Sequence, residues 1–231
     1  MSELLVGKRI LVTGGGKRIG AAIVRALAAE GAEVVIHCDS SLAEAEKLAG
    51  ELTGATVIQR RFEQEARSGA EALIAACGRL DGLVNNASLY RKGSDEEMLS
   101  VNFEWPLWLM AALIHQEGEP EAAVVNMLDS QVATQSDVTD MYTMSKYRLR
   151  LATLTCAAEF APKVRVNAVA PGPALPTDEV AHLGMKKSIA AMPLKRPVDP
   201  GDVAAAVVFL MENRSMTGAV VDVDCGMRLN V

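Results

Sequence analysis

Aromatic residues make up only 4% of this 231-residue chain, so its core must be filled by Ala, Val, Leu, Ile and Met. Such side chains suit helices packed closely on a parallel sheet. A basic excess is also missing. The 23 Lys and Arg residues against 29 Asp and Glu leave a formal charge of −6, which argues against non-specific nucleic-acid binding but not against an anionic ligand in a locally basic pocket. Cys38, Cys77, Cys156 and Cys225 form no C-x-x-C pair and have no histidine at zinc-site spacing. They read as reduced core thiols, and no metal is expected. His37, His115 and His182 likewise share no ligand spacing and read as structural or surface groups. No apolar run approaches the roughly 18 residues of a membrane span, and Met1-Ser2-Glu3 leads almost directly into the first apolar strand, without a signal peptide. The expectation is one cytoplasmic domain with a small-molecule substrate and neither nucleic-acid nor membrane partner.

The most informative stretch is Lys8 to Gly20, where an apolar strand runs into Thr13-Gly14-Gly15-Gly16-Lys17-Arg18-Ile19-Gly20 and then into an alanine-rich helix. Glycines at a strand end let the backbone turn tightly against a pyrophosphate, and the first amides of the next helix meet the anion with the positive end of the helix dipole. Gly14, Lys17, Arg18 and Ile19 are therefore candidate dinucleotide contacts. The spacing is not G-x-G-x-x-G, because Gly14 and Gly16 are followed by a glycine only at Gly20.

Along the chain, apolar runs at 10–12, 33–38, 56–59, 83–85, 123–128, 164–169 and 219–223 read as strands. Helical periodicity fills 19–30, 42–52, 66–77, 95–116, 140–160 and the segment beginning at Asp199-Pro200. Pro106 implies a kink or break in the 95–116 helix. This βα alternation predicts an α/β, doubly wound parallel sheet of about seven strands with helices on both faces. Residues 173–197, with four prolines and a weak helical pattern at 179–191, read as an irregular insertion where a substrate lid would belong.

Ligands of such sheets bind beyond the carboxyl ends of the strands. The residues that follow strand ends are polar or glycine-rich: Ser40 and Ser41, then Asn86, Ala87, Ser88 and Tyr90, then Asp129, then Pro171 and Gly172. Tyr142-Thr143-Met144-Ser145-Lys146 adds a phenol and an ammonium one helical turn apart, and a nearby ammonium favours the tyrosinate needed for proton shuttling. Trp105 and Trp108 read as packing residues.

As an ordered set, the Thr-Gly turn, Asn85-Asn86-Ala87-Ser88, Asn102, Asp129, Tyr142-x-x-x-Lys146 and Pro171-Gly172 resemble the short-chain dehydrogenase/reductase family from Gly7 to Gly226. The resemblance implies a single-domain Rossmann-type fold and a homotetramer. It also implies that Tyr142 is the proton donor or acceptor, that Lys146 binds the nicotinamide ribose, that Asn102 supports a proton-relay water, and that the pro-S hydride is delivered. Two departures, Arg18 at a usual glycine and Asp129 at the usual serine, resemble the pteridine reductase branch, as does Tyr90 shortly after Asn-Asn-Ala-Ser. That branch implies that Arg18 and Ser88 contact pterin and cofactor phosphates, that Tyr90 sandwiches the pterin, and that Asp129 with Tyr142 handles protons. A carboxylate accepts from the donor edge of a pterin, whereas a ketone wants a hydroxyl donor.

For the cofactor, Asp39 lies one residue beyond the position expected of an NAD-selecting acid. Lys17, Ser40 and Ser41 are placed for a 2′-phosphate, with Arg60 and Arg61 adding positive potential, so NADPH is preferred to NADH. A ketoreductase of a small carbonyl and a non-catalytic NADP(H)-binding sensor remain the alternatives.

Overall fold

The computed structural model describes residues 5–62, 65–90, 93–117, 121–133, 140–174 and 179–229, apart from the side chains of 133 and 179–184. Met1-Ser2-Glu3, residues 175–178 of the expected lid and the side chain of His182 lie outside the described residues.

In chain order the elements are β1 (Arg9–Val12), α1 (Arg18–Ala29), β2 (Glu33–Cys38), α2 (Leu42–Gly50), β3 (Thr56–Gln59), α3 (Ala66–Cys77), β4 (Gly82–Asn85) and α4 (Asp95–Leu99). A π turn over Ser100–Glu104 leads into α5 (Trp105–Ile114). Then come β5 (Ala122–Met127), α6 (Met141–Glu159), β6 (Val164–Pro171), α7 (Glu179–Ala191), α8 (Pro200–Glu212) and β7 (Val220–Val223). The strands form one parallel sheet in the order β3-β2-β1-β4-β5-β6-β7.

Both faces of the sheet are covered, and β1 shows how four apolar residues serve both. Ile10 and Val12 pack with Ile23, Val24 and Leu27 of α1 and with Val203, Val207 and Leu210 of α8. Leu11 points the other way, among Leu73 of α3 and Trp105, Leu109 and Leu113 of α5. The period-two alternation of side chains thus splits an unbroken apolar run between two cores.

Local signals end the helices where the sheet needs them to end. Past α1, Gly31 at φ +87° lets its own N–H reach the Ala28 carbonyl and the Ala32 N–H reach the Leu27 carbonyl, a Schellman cap that glycine accepts without a Cβ clash. Asp199 caps α8 by accepting from the Gly201 N–H at 2.7 Å, with Pro200 at the first helical position.

The stretch expected as one long helix over 95–116 is divided, but one turn ahead of Pro106. Proline has no N–H for the Asn102 carbonyl four residues earlier, and its ring crowds that carbonyl. The backbone widens into the π turn over Ser100–Glu104 and resumes as α5 with Pro106 in its first turn. Asn102 sits in the widened segment and is fully buried.

Trp105 stays in the core because α3 offers it a glycine. A Cβ added at Gly69 would lie 2.7 Å from the indole Cζ2 and still closer to Cη2. Gly69→Ala is therefore expected to cost about 1–3 kcal/mol through overpacking, more than the roughly 1 kcal/mol gained in helix propensity. Thermal unfolding should show a lower Tm by roughly 2–4 °C per kcal/mol.

Candidate active site

Strand order reverses between β1 and β4, so the chain leaves these neighbours toward opposite faces of the sheet and opens a crevice beyond their carboxyl ends. The floor of the crevice is held by Thr13. Its buried Oγ1 donates to the Val84 carbonyl at 3.3 Å and accepts from the Asn86 and Ala87 amides, both at 3.0 Å. Asn86 Nδ2 returns two bonds, to the Thr13 carbonyl at 2.9 Å and the Gly14 carbonyl at 3.0 Å.

Two glycines of the turn have no room for a side chain. Gly14, at φ +62°, would bring a Cβ to 3.0 Å from the Ala87 Cα, and a Cβ at Gly20 would run into the Gly14 carbonyl oxygen. Arg18 adopts φ +57° without being glycine, a left-handed conformation that costs an L-residue about 1–2 kcal/mol. Helix α1 starts there with no side-chain cap at Lys17 and no acidic residue in its first turn, so no carboxylate of that turn offsets the positive end of the helix dipole.

A cleft of about 1010 Å³ extends from this turn across the strand ends. Gly14, Lys17, Arg18, Ile19, Ser40, Ser41, Asn86, Ala87, Ser88, Tyr90, Asp129, Tyr142, Lys146, Pro171 and Gly172 all line it, which brings together every site residue expected from the sequence except Asn102. At one end Lys17, Ser40, Ser41 and Arg61 surround the region past β2, with Asp39 exposed among them. Near the middle, Gly172 lies so close to the backbone of Asp224 that a Cβ would stand 2.9 Å from its Cα.

The other end holds the ionisable side chains Asp129, Tyr142 and Lys146. Asp140 caps α6 by accepting from the Thr143 N–H at 2.9 Å, which fixes the first turn so that Tyr142 and Lys146 share the face toward β5. The Tyr142 hydroxyl donates to Asp129 Oδ2 at 3.0 Å, and Asp129 Oδ1 accepts from the Gln131 N–H at 2.9 Å. Lys146 is buried at 2% exposure and donates from Nζ to the Met127 carbonyl at 2.9 Å. Burial pulls its pKa down to about 8, against the opposing pull of the Asp129 carboxylate. Tyr90 stands edge-on to Tyr142, with ring centres 4.8 Å apart and planes at 85°, and remains 40% exposed as one wall of the cleft.

Asn102 does not reach the cleft. Its Oδ1 accepts from Ser88 Oγ at 3.1 Å and the Leu89 N–H at 2.8 Å, and its Nδ2 donates to the Leu89 carbonyl at 2.9 Å and Ser145 Oγ at 3.1 Å. Two donors and two acceptor positions are then all taken by protein. The side chain fastens the 88–90 loop to α6.

Several cleft residues went unassigned in the sequence. His37 belongs to the turn rather than to the surface: buried at 2% exposure, it accepts from the Gly14 N–H. The signal was a lone polar residue inside an apolar strand. Phe62, Gln131, Met185 and Ser188 also line the cleft but carry no motif of their own. His115 is exposed, as a surface reading requires. Trp105 is buried in the core, and Trp108 packs under the Arg67 guanidinium at 5.0 Å. No cluster of potential metal ligands occurs among the described residues, and among them no helix is long and apolar enough to cross a membrane.

Comparison with known proteins finds relatives that cover nearly the whole chain. The family model described as enoyl-(acyl carrier protein) reductase matches residues 15–228. The crystal structure of FolM alternative dihydrofolate reductase 1 from Brucella canis, complexed with NADP, superposes with a TM-score of 0.89 at 32% identity, covering 99% of this chain and 97% of that one. Pteridine reductase 1 of Leishmania tarentolae is 30% identical over 95% of this chain and 96% of its own length. Carbonyl reductase family member 4 of Danio rerio is 31% identical over 99% of both.

Two measurements test the electrostatics and the strain. With ¹⁵N-labelled lysine, Lys146 should titrate with a midpoint of about 8. Asp129→Asn should move that midpoint lower, because it removes the charge that favours the ammonium. Arg18→Gly should raise stability by about 1 kcal/mol by relieving the left-handed backbone, less the entropy that glycine gains on unfolding, seen as a Tm increase of roughly 2–4 °C.

Proposed function

The chain belongs to the short-chain dehydrogenase/reductase family, and on that premise we propose that it is an NADPH-dependent reductase of a pterin. The observation that carries this reading is the Tyr142–Asp129 hydrogen bond of 3.0 Å beside the edge of Tyr90. It puts a carboxylate where a ketone-reducing site would want a hydroxyl donor.

The residues present fit the dinucleotide. The uncapped start of α1, with Lys17 and Arg18 on it, suits a pyrophosphate, and Lys17, Ser40, Ser41 and Arg61 suit a 2′-phosphate. Lys146 would hold the nicotinamide ribose, and Gly172 with Pro171 would back the nicotinamide. The Brucella neighbour complexed with NADP supports that choice at 32% identity. When bound, the reduced nicotinamide supplies two electrons and one hydrogen as hydride to the ring carbon of a C=N bond.

The chain supplies the matching proton. Tyr142 Oη passes its hydrogen to the ring nitrogen of that bond, and the half-buried Asp129 returns a proton to it from cleft water through Oδ2. Asp129 retains lone pairs for the N–H groups of a pterin's amidine edge. Tyr90, with Arg18 and Ser88 beside it, covers the flat heterocycle, and stacking needs no particular substituent. The buried Lys146 ammonium favours the transient phenolate. Tyr147, Leu151 and Leu154 form an exposed stripe on α6 at 38%, 44% and 39%, compatible with a homotetramer in the cytoplasm.

The Danio relative favours a second reading, a ketoreductase, and the difference is measurable. NADPH oxidation should proceed with dihydrobiopterin, dihydromonapterin or dihydrofolate. Asp129→Ser should lower pterin kcat/KM by about 10²-fold or more, the scale of a lost proton-transfer group, while leaving the Kd for NADPH nearly unchanged. Turnover confined to carbonyls would replace the pterin reading by the ketoreductase, and NADPH binding without turnover would leave a sensor.

A further inference from the structure

His37 is the ionisable side chain most deeply set into the cleft wall at the turn, and it serves none of the proton chemistry. Its strand, β2, is otherwise apolar from Val34 to Cys38, and the ring is only 2% exposed. Three of its polar atoms, the two ring nitrogens and the backbone carbonyl, are engaged with loops that border the cleft. Nδ1 accepts from the Gly14 N–H at 3.3 Å. The backbone carbonyl accepts from the next amide, Gly15, at 2.9 Å. Nε2 donates to the Arg60 carbonyl at 2.9 Å. The ring lies flat on Phe62, with centres 4.5 Å apart and planes at 16°, and Phe62 in turn lies on Trp105 at 4.1 Å and 8°.

These partners dictate the state of the imidazole. An amide N–H can only donate and a carbonyl can only accept, so Nδ1 must be bare and Nε2 must carry the hydrogen. Only the neutral ring has one of each. Burial enforces this by holding the pKa down at about 4.

We propose that His37 is the positioning residue of the phosphate-binding turn. It holds the amides of Gly14 and Gly15 in place and couples the turn to the 60–62 loop, so that the two walls of the adenosine end move as one body. This rests on the reading that the turn holds a dinucleotide, and it refines that reading. Since His37 takes the amides of Gly14 and Gly15, neither is left for the pyrophosphate, whose backbone donors would come from the rest of the turn. His37 thereby governs dinucleotide affinity without touching hydride or proton transfer. Gly14 is held in its left-handed turn by a ring nitrogen rather than by the ligand, so the cradle exists before the dinucleotide arrives and little ordering is left to oppose binding.

The test compares His37→Leu, which keeps bulk but removes the acceptor, with His37→Asn, whose Oδ1 falls near the position of Nδ1. Two readouts are used, NADPH titration by fluorescence and amide hydrogen exchange over residues 14–15 of the ligand-free protein. His37→Leu should bind NADPH about tenfold or more weaker, the equivalent of roughly 1.4 kcal/mol, and its Gly14 amide should exchange about tenfold faster. His37→Asn should recover most of both losses. In each variant kcat at saturating NADPH and its pH profile should match the parent, which a general loss of structure would not allow. Parental affinity and exchange in His37→Leu, or an Asn variant no better than Leu, would overturn the proposal. If the parent binds no NADPH at all, the dinucleotide reading fails. Exchange at Gly14 then still decides the clamp, with equal rates in parent and His37→Leu ending it.

Discussion

The hydroxyl of Thr13 is the joint on which the site depends. At the point where strand order reverses, the chain leaves β1 for one face of the sheet and leaves β4 for the other, and nothing in the sheet ladder holds the two departing loops together. Thr13 Oγ1 does so by accepting both the Asn86 and the Ala87 amides, while Asn86 replies to the carbonyls of Thr13 and Gly14. These bonds lie at the buried base of the crevice, where an unpaired amide would cost about 1–3 kcal/mol. The same loops therefore separate above and stay closed below. The Asn102 amide ties the loop that follows, at Ser88 and Leu89, onward to α6 through Ser145.

Around this joint the structure accepts several local costs. Arg18 occupies a left-handed position, Lys146 is an ammonium buried at 2% exposure, and His37 is an imidazole kept neutral by burial. All three line the cleft, whereas the two cores on either side of the sheet are built mainly of aliphatic side chains, with buried Met and Cys residues and Trp105. A fully buried Leu or Ile contributes about 1.5–3 kcal/mol, so a few such residues from α1, α5 and α8 offset the strain at the strand ends. The division follows from the parallel sheet: its middle is hidden on both faces, and the cleft-lining polar groups of several strands converge at its carboxyl edge.

How much of this was written in the sequence depends on the range of the interaction. The strands, the Gly31 cap, the Asp199-Pro200 start of α8 and the Tyr142/Lys146 face are set by neighbours within a few residues, and they stand where pattern and turn chemistry put them. The convergence of Ser40, Ser88, Asp129 and Gly172 on one cleft was also legible, because a parallel sheet brings every strand end to one side. What pattern could not show was how side chains pair across the fold. The resemblance gives Asn102 a part in supporting a relay water, but nothing local reveals that its side-chain amide pairs with Ser88, Leu89 and Ser145. The displacement of the helix break from Pro106 to Ser100–Glu104 arises because proline acts on the carbonyl four residues behind it. His37 was ambiguous for the same reason, since the amide it meets lies 23 residues earlier in the chain.

Asp129 is where the proposed chemistry departs from that of a simple carbonyl reductase. A serine in its place would offer the substrate a donor and could swap donor and acceptor roles with Tyr142 as the proton moved. A carboxylate can only accept while ionised, so Tyr142 must point its hydrogen at Asp129 in the resting site, as it does, and must turn it toward a substrate nitrogen to react. That rotation is favoured only if the substrate gives Asp129 another N–H in exchange. A ketone has none to give, whereas a heterocycle with an amidine edge has several, and the hydrogen released by Tyr142 is replaced at Oδ2 as it leaves. In the proposed reading, selection for a nitrogen heterocycle would therefore lie in the proton bookkeeping of one hydrogen bond rather than in the shape of the cleft.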